Sequence, residues 1–553
     1  MKFLKALFEK MTDAPRQRTQ LIALILGISL AALLSLVFMG GEPSYQDARL
    51  REGQISSRDV YAPVDFSFSD AGGSRIEIKK NETVMQRGDR ITKTQEMALA
   101  VLRDMHRQPR WLQYYLGIMM LLVICTVVMI TYIRIHIAPE VFTPPIVFLL
   151  CVFSLSIVLA TKWFLLASWP LVMIPLASIS MMVAVLIDPG MAFLLTLVLT
   201  AFLGIIFNIR LDIVSMLVIG SIVGIYGVRD VQRRRDLTKA GLLIGLTNMV
   251  VLVAFSLLKH VPIDERIVEA GWGLANGIIC GIIVTGLLPV FEMLFGISTN
   301  ISLLELSDLN HPLLKELVMK APGTYHHSLV VGNLAEAAAE VTGANRLLAR
   351  VGAYFHDIGK MRMAPYFSEN QIYTDNKHET LSPTISSLVI INHIKEGAEL
   401  ARKYKLGRAI IDIITQHHGD DVVVFFYHRA LEQQDEDKNQ VTPEDFRYAG
   451  PRPQTKEAAI VMLADASEAA TKAIAQPTPA KINDVVTKVI NNKFIDGQLD
   501  ECDLTLRDLH QIAEVFTHIL SGIFHTRVEY PEMEKAANES RSGEKSSGQG
   551  PLA

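Results

Sequence analysis

Long apolar runs crowd residues 19–297 and stop there. Spanning a bilayer takes ~20 mostly apolar residues, because every backbone N–H and C=O must be satisfied without water. Eight runs fit, near 21–39, 113–133, 145–161, 163–187, 189–208, 212–228, 241–258 and 272–296. The pairs meeting around Trp163 and Pro189 are joined by very short turns. The first run follows Lys2, Lys5, Lys10, Arg16 and Arg18. It is longer than a secretory h-region and no A-x-A cleavage site follows it, so 19–40 reads as a retained signal anchor behind an N-tail at 1–18.

Composition agrees. Of 553 residues, 50% are hydrophobic and 20% charged, and the mean hydropathy is +0.29. A soluble domain is nearer ~25% charged. Disorder, collagen-like repeats and a disulfide scaffold are excluded. The net charge of −4 gives no electrostatic reason to expect a nucleic acid polymer as partner. Cys125, Cys151 and Cys280 lie in apolar runs and Cys502 is isolated, so the cysteines suggest neither a CxxC metal site nor a disulfide framework.

Lys and Arg in short loops set orientation. The N-tail and the 229–239 loop (Arg229, Arg233, Arg234, Arg235, Lys239) are basic, whereas the loops near Lys162, Arg210 and 259–266 are poor in such residues. Eight spans with the N-tail inside also place the chain from 298 onward inside. The expectation is a bacterial cytoplasmic-membrane protein with a cytoplasmic N-terminus and C-terminal domain. Residues 41–110 form an outer segment, in which Val64, Phe66 and Phe68 alternate with polar residues as in a half-buried strand and 93–107 reads as an amphipathic helix. Within the spans Asn248, Asn276 and Glu292 stand out, with Asp188 and Arg210 at span ends.

From 298 to 530 the texture is soluble helix, and 531–553 is a polar tail with the composition of disorder. The fold class is therefore all-α: a polytopic membrane domain over 111–297 followed by a helical soluble domain.

Histidine is where chemistry shows. Nine of the 15 His fall between 311 and 428. His356-Asp357 ends an apolar helical stretch and is followed by Ile358-Gly359-Lys360; His417-His418 ends another. Imidazoles and carboxylates at the ends of core helices need partners, and a divalent cation supplies one.

HDIGK at 356–360, APGTYHHS at 321–328, PYFSENQ at 365–371, SPTISSLVIINH at 382–393 and LADASEAA at 463–470 together resemble the HD-domain phosphohydrolases. More narrowly the chain resembles the seven-transmembrane HD-domain proteins of the PgpH type, which are cyclic di-AMP phosphodiesterases; the resemblance covers roughly 111–530. It implies seven metal ligands. His327, His356, Asp357 and Asp465 would hold one ion, and His393, His417 and His418 a second, with Asp357 shared and His356-Asp357 at the catalytic centre. His311 and His326 have no ligand role in that pattern. Lys360, Tyr366, Phe367 and His378 are candidates for substrate contacts, with structural roles as the alternative. One departure is plain: family members often carry an outer region of several hundred residues, and here it is about seventy.

The ligand set makes chemical sense. Five imidazoles and two carboxylates leave two divalent ions with net positive charge for a phosphodiester, and imidazole-rich ligation favours Mn, Fe or Zn over Mg, with Mn or Fe expected. The resemblance implies hydrolysis of cyclic di-AMP to pApA, with the lipid bilayer and the cyclic dinucleotide as partners; self-association as a homodimer stays open. Two alternatives stand beside it. An HD hydrolase of another nucleotide such as cyclic di-GMP would carry Gly-Tyr-Pro after the HD pair, where this chain has Pro365-Tyr366-Phe367. A non-catalytic transmembrane receptor would not need all seven ligands.

Overall fold

The computed structural model describes residues 52–523, apart from 57–59, 63–64, 70–73, 80–81, 87, 107–110, 137–143, 208, 372–375 and 434–440. The expected N-tail, signal anchor and C-terminal tail lie outside the described residues, as does Val64. The chain divides into two units between Ser302 and Leu303.

Among the described residues of the first unit, strands are confined to a small segment ahead of the apolar helices. β1 (Val60–Tyr61) pairs antiparallel with β4 (Thr83–Met85), and β2 (Phe66–Ser69) with β3 (Arg75–Ile78). The alternation expected here is present: Phe66 and Phe68 are buried, and they share a core with Ala62, Met85, Leu99 and Leu102. The last two belong to α1 (Lys93–His106), the expected amphipathic helix.

Seven apolar helices follow among the described residues: α2 (Trp111–His136), α3 (Pro144–Leu166), α4 (Leu176–Leu186), α5 (Pro189–Ile206), α6 (Leu211–Gly227), α7 (Arg234–Leu258) and α8 (Ile263–Phe295). Four contain stretches long and apolar enough to cross a membrane, Leu116–Ile133, Pro144–Leu166, Arg234–Leu258 and Arg266–Phe295, and three are shorter. The chain is a membrane protein.

The run expected as one span over 163–187 is interrupted. Trp163 belongs to the end of α3; Pro170 and Pro175 then bracket a single 3-10 turn, Leu171–Met173, before α4 begins. Proline lacks the N–H a continuous helix needs, so a hydropathy average passes through a break that the backbone cannot. The Ile174 carbonyl at the break accepts from Leu176 N at 2.9 Å and from Asn276 Nδ2 at 3.0 Å, and Asn248 Nδ2 donates to Asn276 Oδ1 at 3.1 Å. The two Asn singled out in the spans thus close a buried polar contact inside the bundle.

Asp188 caps α5, accepting from Met191 N at 2.8 Å, and Arg210 lies 2.8 Å from both Asp212 and Glu269. Glu292 accepts from the Thr299 hydroxyl. Glycines let α7 and α8 cross closely: a Cβ on Gly241 would lie 2.8 Å from Gly277 O and from Gly281 Cα.

The second unit is helical. α9 (Asn300–Leu306) leads into it, followed by α10 (Pro312–Lys320), α11 (Pro322–Thr342), α12 (Arg346–Phe355), α13 (Pro383–Tyr404), α14 (Arg408–Gln416), α15 (Val424–Glu432), α16 (Lys456–Lys472), α17 (Pro479–Ile495) and α18 (Leu506–Ile523). Polar caps fix the starts: Asn345 accepts from Leu348 N, Ser382 from Ile385 N and Thr455 from Ala458 N. Val331 and Leu334 of α11, Ile460 and Leu463 of α16, and Ile512 and Phe516 of α18 share a core at 0% exposure. A core that is close-packed holds the faces of α11 and α16 in fixed register, and those faces carry the site.

Candidate metal centre

Five backbone positions bring the histidines and carboxylates together. His327 projects from the second turn of α11; His356 and Asp357 follow the last residue of α12; His393 sits mid-α13; His417 and His418 follow α14; Asp465 lies in α16. The 3-10 turn Ile358–Arg362 that follows α12 approaches α13 closely because of Gly359, where a Cβ would fall 2.6 Å from Gly397 N and 2.8 Å from the His393 carbonyl carbon.

The seven residues form two groups, His327–His356–Asp357–Asp465 and His393–His417–His418, in each of which the ligand atoms lie within 4.8 Å of one another. Asp357 faces both. Its Oδ2 is 3.2 Å from His356 Nε2 and 3.8 Å from His327 Nε2, while its Oδ1 is 3.3 Å from His393 Nε2 and 3.7 Å from His417 Nε2. Asp465 does the same more loosely, with Oδ1 3.0 Å from His327 and Oδ2 3.8 Å from His418 Nδ1.

Three of the imidazoles are fixed by their own helices. Nδ1 of His356 donates to Ala353 O at 2.7 Å, that of His393 to Ile390 O at 2.5 Å, and that of His417 to Ile414 O at 2.8 Å. An Nδ1–H engaged in this way leaves the lone pair on Nε2, turned into the cluster. His327 is held differently: Glu468, one turn beyond Asp465 on α16, accepts from its Nδ1 at 2.7 Å.

The donor set fits divalent ions. His356 Nε2 and both carboxylate oxygens of Asp357 are buried without a hydrogen bond of acceptable geometry. Buried polar atoms are normally satisfied, so a cluster of such atoms converging on one point calls for a cation. Electrostatics agrees. Burial opposes charge on His356 and His327, but the carboxylates of Asp357 and Asp465 for the first, and Asp465 and Glu468 for the second, overcome it and push them up to about 10 and about 9. Burial also opposes ionisation of Asp357, yet His356 and Lys360 hold it well below the usual carboxylate range. His393 is pushed down to about 4 by burial, with the His417 and Lys360 charges adding to the effect. The carboxylates thus draw protons to His327 and His356, whereas burial keeps them from His393 and His418.

The expected substrate-contact residues are placed unevenly. Lys360 Nζ lies 2.6 Å from Asp357 Oδ2 and 3.1 Å from Glu369 Oε1, at the edge of the cluster. Phe367 is only 4% exposed, its ring 5.1 Å below the Lys360 ammonium and edge-on to His393, so it walls the site and offers no open face for stacking. His378 is buried as well, its Nε2 bonded to the Tyr366 carbonyl at 2.7 Å. Tyr366 is half-buried beneath Lys377. His326 points outward, and His311 caps α10 by accepting from Leu313 N, in keeping with no ligand role.

Sequence reasoning missed Glu468, Glu369 and Tyr448. Glu369 accepts from Thr324 Oγ1 as well as from Lys360, and Tyr448 stacks on His418 with ring centroids 4.4 Å apart. Only Glu468 left a signal, its spacing of three from Asp465 on one helix face.

An all-helical domain whose helix ends converge on a His/Asp cluster of this kind, behind a bundle of apolar helices, defines a membrane-attached HD-domain protein. Residues 112–299 match the family described as 7TM receptor with intracellular HD hydrolase, and residues 324–470 match the HD domain. The two matches together pair a seven-transmembrane domain with an HD domain in one chain, the arrangement of the PgpH-type proteins that it resembles. It is similar to the cyclic-di-AMP phosphodiesterase PgpH of Bacillus subtilis, 40% identical over 373 residues that cover 66% of this chain and 52% of that protein. The PgpH of Listeria monocytogenes is 41% identical over 307 residues, 55% of this chain and 42% of that one. The chain thus spans about half the length of the curated relatives it matches. A crystal structure of the Listeria PgpH HD domain in complex with cyclic-di-AMP is 46% identical, covering 40% of this chain and 100% of that one, with a TM-score of 0.37.

Proposed function

We propose that the protein is a membrane-bound, metal-dependent phosphodiesterase that hydrolyses cyclic di-AMP to pApA. The observation that carries this reading is the pair of buried ligand groups sharing Asp357. His327, His356, Asp357 and Asp465 would hold one divalent ion, and His393, His417 and His418 with Asp357 the second, Mn or Fe suiting the imidazole-rich set. Bound there, two such ions would supply positive charge for the phosphodiester and make water acidic enough to attack phosphorus at neutral pH.

The chain's own residues do the rest. Nδ1 bonds to backbone carbonyls hold His356, His393 and His417 with their lone pairs inward. Lys360, kept at the cluster edge by Asp357 and Glu369, offers an ammonium to a non-bridging phosphate oxygen. The cyclic substrate has two phosphodiesters and no terminal phosphate, so no P-loop is required. The adenine preference is supported by similarity to proteins named for that substrate, not by the ligand chemistry.

We further propose residues 298–530 as the cytoplasmic catalytic domain, 111–297 as the membrane domain and 41–110 as its outer segment, in a bacterial cytoplasmic membrane. The basic 229–239 loop and the span parity support this orientation. The test is side-by-side turnover of cyclic di-AMP and cyclic di-GMP by the full chain in detergent with Mn or Fe. Faster cleavage of the adenine ring is expected. Equal or faster cleavage of cyclic di-GMP overturns the substrate assignment, and no cleavage of either moves the protein to the receptor class.

A further inference from the structure

Four of the five cluster imidazoles have a hydrogen-bond partner at Nδ1, and the partners are not alike. His356, His393 and His417 each donate to the carbonyl three residues earlier in their own chain, a neutral acceptor that comes with the helix. His327 reaches across to a carboxylate 141 residues away, Glu468 Oε2, at 2.7 Å. Both side chains are buried, at 6% and 7% exposure, so the contact is made without water. Asp465 and Glu468 lie one turn apart on α16. That single turn therefore places a carboxylate at each nitrogen of the same ring, Asp465 Oδ1 at 3.0 Å from Nε2 and Glu468 Oε2 at 2.7 Å from Nδ1.

A carboxylate behind a ligand imidazole fixes the tautomer, locks the ring's rotation and makes the opposite nitrogen a stronger donor; a carbonyl does the first two and little of the third. We infer that Glu468 is a positioning residue for the His327 metal position, making that position the tighter of the two. This rests on the reading that the cluster holds metal. The charge count points the same way. The His327 group has two carboxylates among its ligands and a third behind it, whereas His393, His417 and His418 are three imidazoles that share Asp357. Lys472 also approaches Glu468, at 3.6 Å, but is half exposed and does not touch His327.

The experiment is a Mn2+ titration of the full chain in detergent by equilibrium dialysis, with no substrate present. The parent is expected to bind two ions in two distinguishable steps. Glu468→Gln preserves size and an acceptor oxygen but removes the charge, and Glu468→Ala removes both. The tighter step should weaken about 10- to 100-fold, more for alanine, with the second step nearly unmoved. In a His327→Ala background, Glu468→Gln should have no further effect, because Glu468 acts through that ring; an undiminished effect there overturns the assignment. Lys472→Met, which leaves the His327 contact in place, should stay within about twofold of the parent, as expected for an exposed helical ion pair. A Lys472→Met loss of about 10-fold or more in the tighter step also overturns the assignment, and that reading needs no Glu468 variant to fold. If the parent binds Mn2+ in two steps and Glu468→Gln matches it, this inference fails alone. If the parent binds none, the metal reading fails beneath it.

Discussion

His393 and His417 turn their Nε2 atoms toward each other at 3.3 Å, while each donates Nδ1–H to a carbonyl of its own helix. With both rings neutral the two lone pairs face one another and repel, and a cation shared between them reverses the sign of that interaction. Metal removal should therefore cost stability as well as activity. Chelation is expected to lower the thermal midpoint, and Mn2+ at 100 times its dissociation constant to restore about 2.7 kcal/mol for each site. Metal analysis of active protein should return close to two ions per chain. One or none would remove the binuclear scheme.

Asp357 faces both groups, so its loss should be the most damaging single change. One oxyanion donor is worth ~10²–10³ in rate; Asp357→Ala should reduce turnover by at least on the order of that upper value. The helices around it keep their apolar faces, and the circular dichroism should remain helical. Retention of a tenth of the activity would exclude the shared role.

The adjacent pair His326 and His327 separates position from residue type. His326 is exposed, and His326→Ala should change stability by no more than about 0.5 kcal/mol, as at most surface sites. His327→Ala should lose one metal ion and nearly all turnover. Comparable metal loss in the two variants would mean that the ligand has been assigned to the wrong ring.

The metal-free protein should have an unusual pH profile. His327 and His356 are raised to about 9 and about 10, whereas an unfolded imidazole titrates near ~6.5. Below that value both states are protonated and the stabilisation is complete. Between it and pH 10 the unfolded chain releases protons that the folded chain still holds, so the contribution declines and is lost as pH rises through the folded values. In chelator the thermal midpoint should fall over that window. With Mn2+ bound the fall should be smaller, because the nitrogens hold metal in place of protons. A flat chelated profile would contradict the coupling.

Gly359→Ala tests the scaffold without touching a ligand. The added methyl would meet backbone of α13, which cannot rotate aside, and overpacking of this kind costs ~1–3 kcal/mol. Because the backbone it strikes includes the His393 carbonyl, metal content should fall too. Gly522→Ala, with nothing within 4 Å, is the control and should be neutral or slightly stabilising. Equal behaviour of the two would show that the close approach is unimportant.

Much of this was legible in the sequence because it depends on local pattern. Apolar runs announced the helices, alternation announced Phe66 and Phe68, and apolar helices ending in His-Asp and His-His drew attention to the cluster residues. What was not legible depends on tertiary contact. Nothing around Phe367 says that its ring lies beneath Lys360. Glu468 shares a helix face with Asp465, but nothing in that spacing says that it reaches His327 until α11 is laid against it. The break before α4 was visible as Pro170 and Pro175, but run length outweighed them.

The close crossing of α7 and α8 has a mechanical consequence. Where Gly241 meets Gly277 and Gly281, the two backbones leave no layer of side chains between them to act as a bearing. Sliding either helix by one residue would carry a bulkier neighbour into main chain, so the two cannot piston past each other. Arg234–Leu258 and Ile263–Phe295 must tilt or translate as one beam. A push on either then travels along the longest helix among the described residues as far as Pro289, where a missing N–H gives the last turns before Phe295 a place to bend.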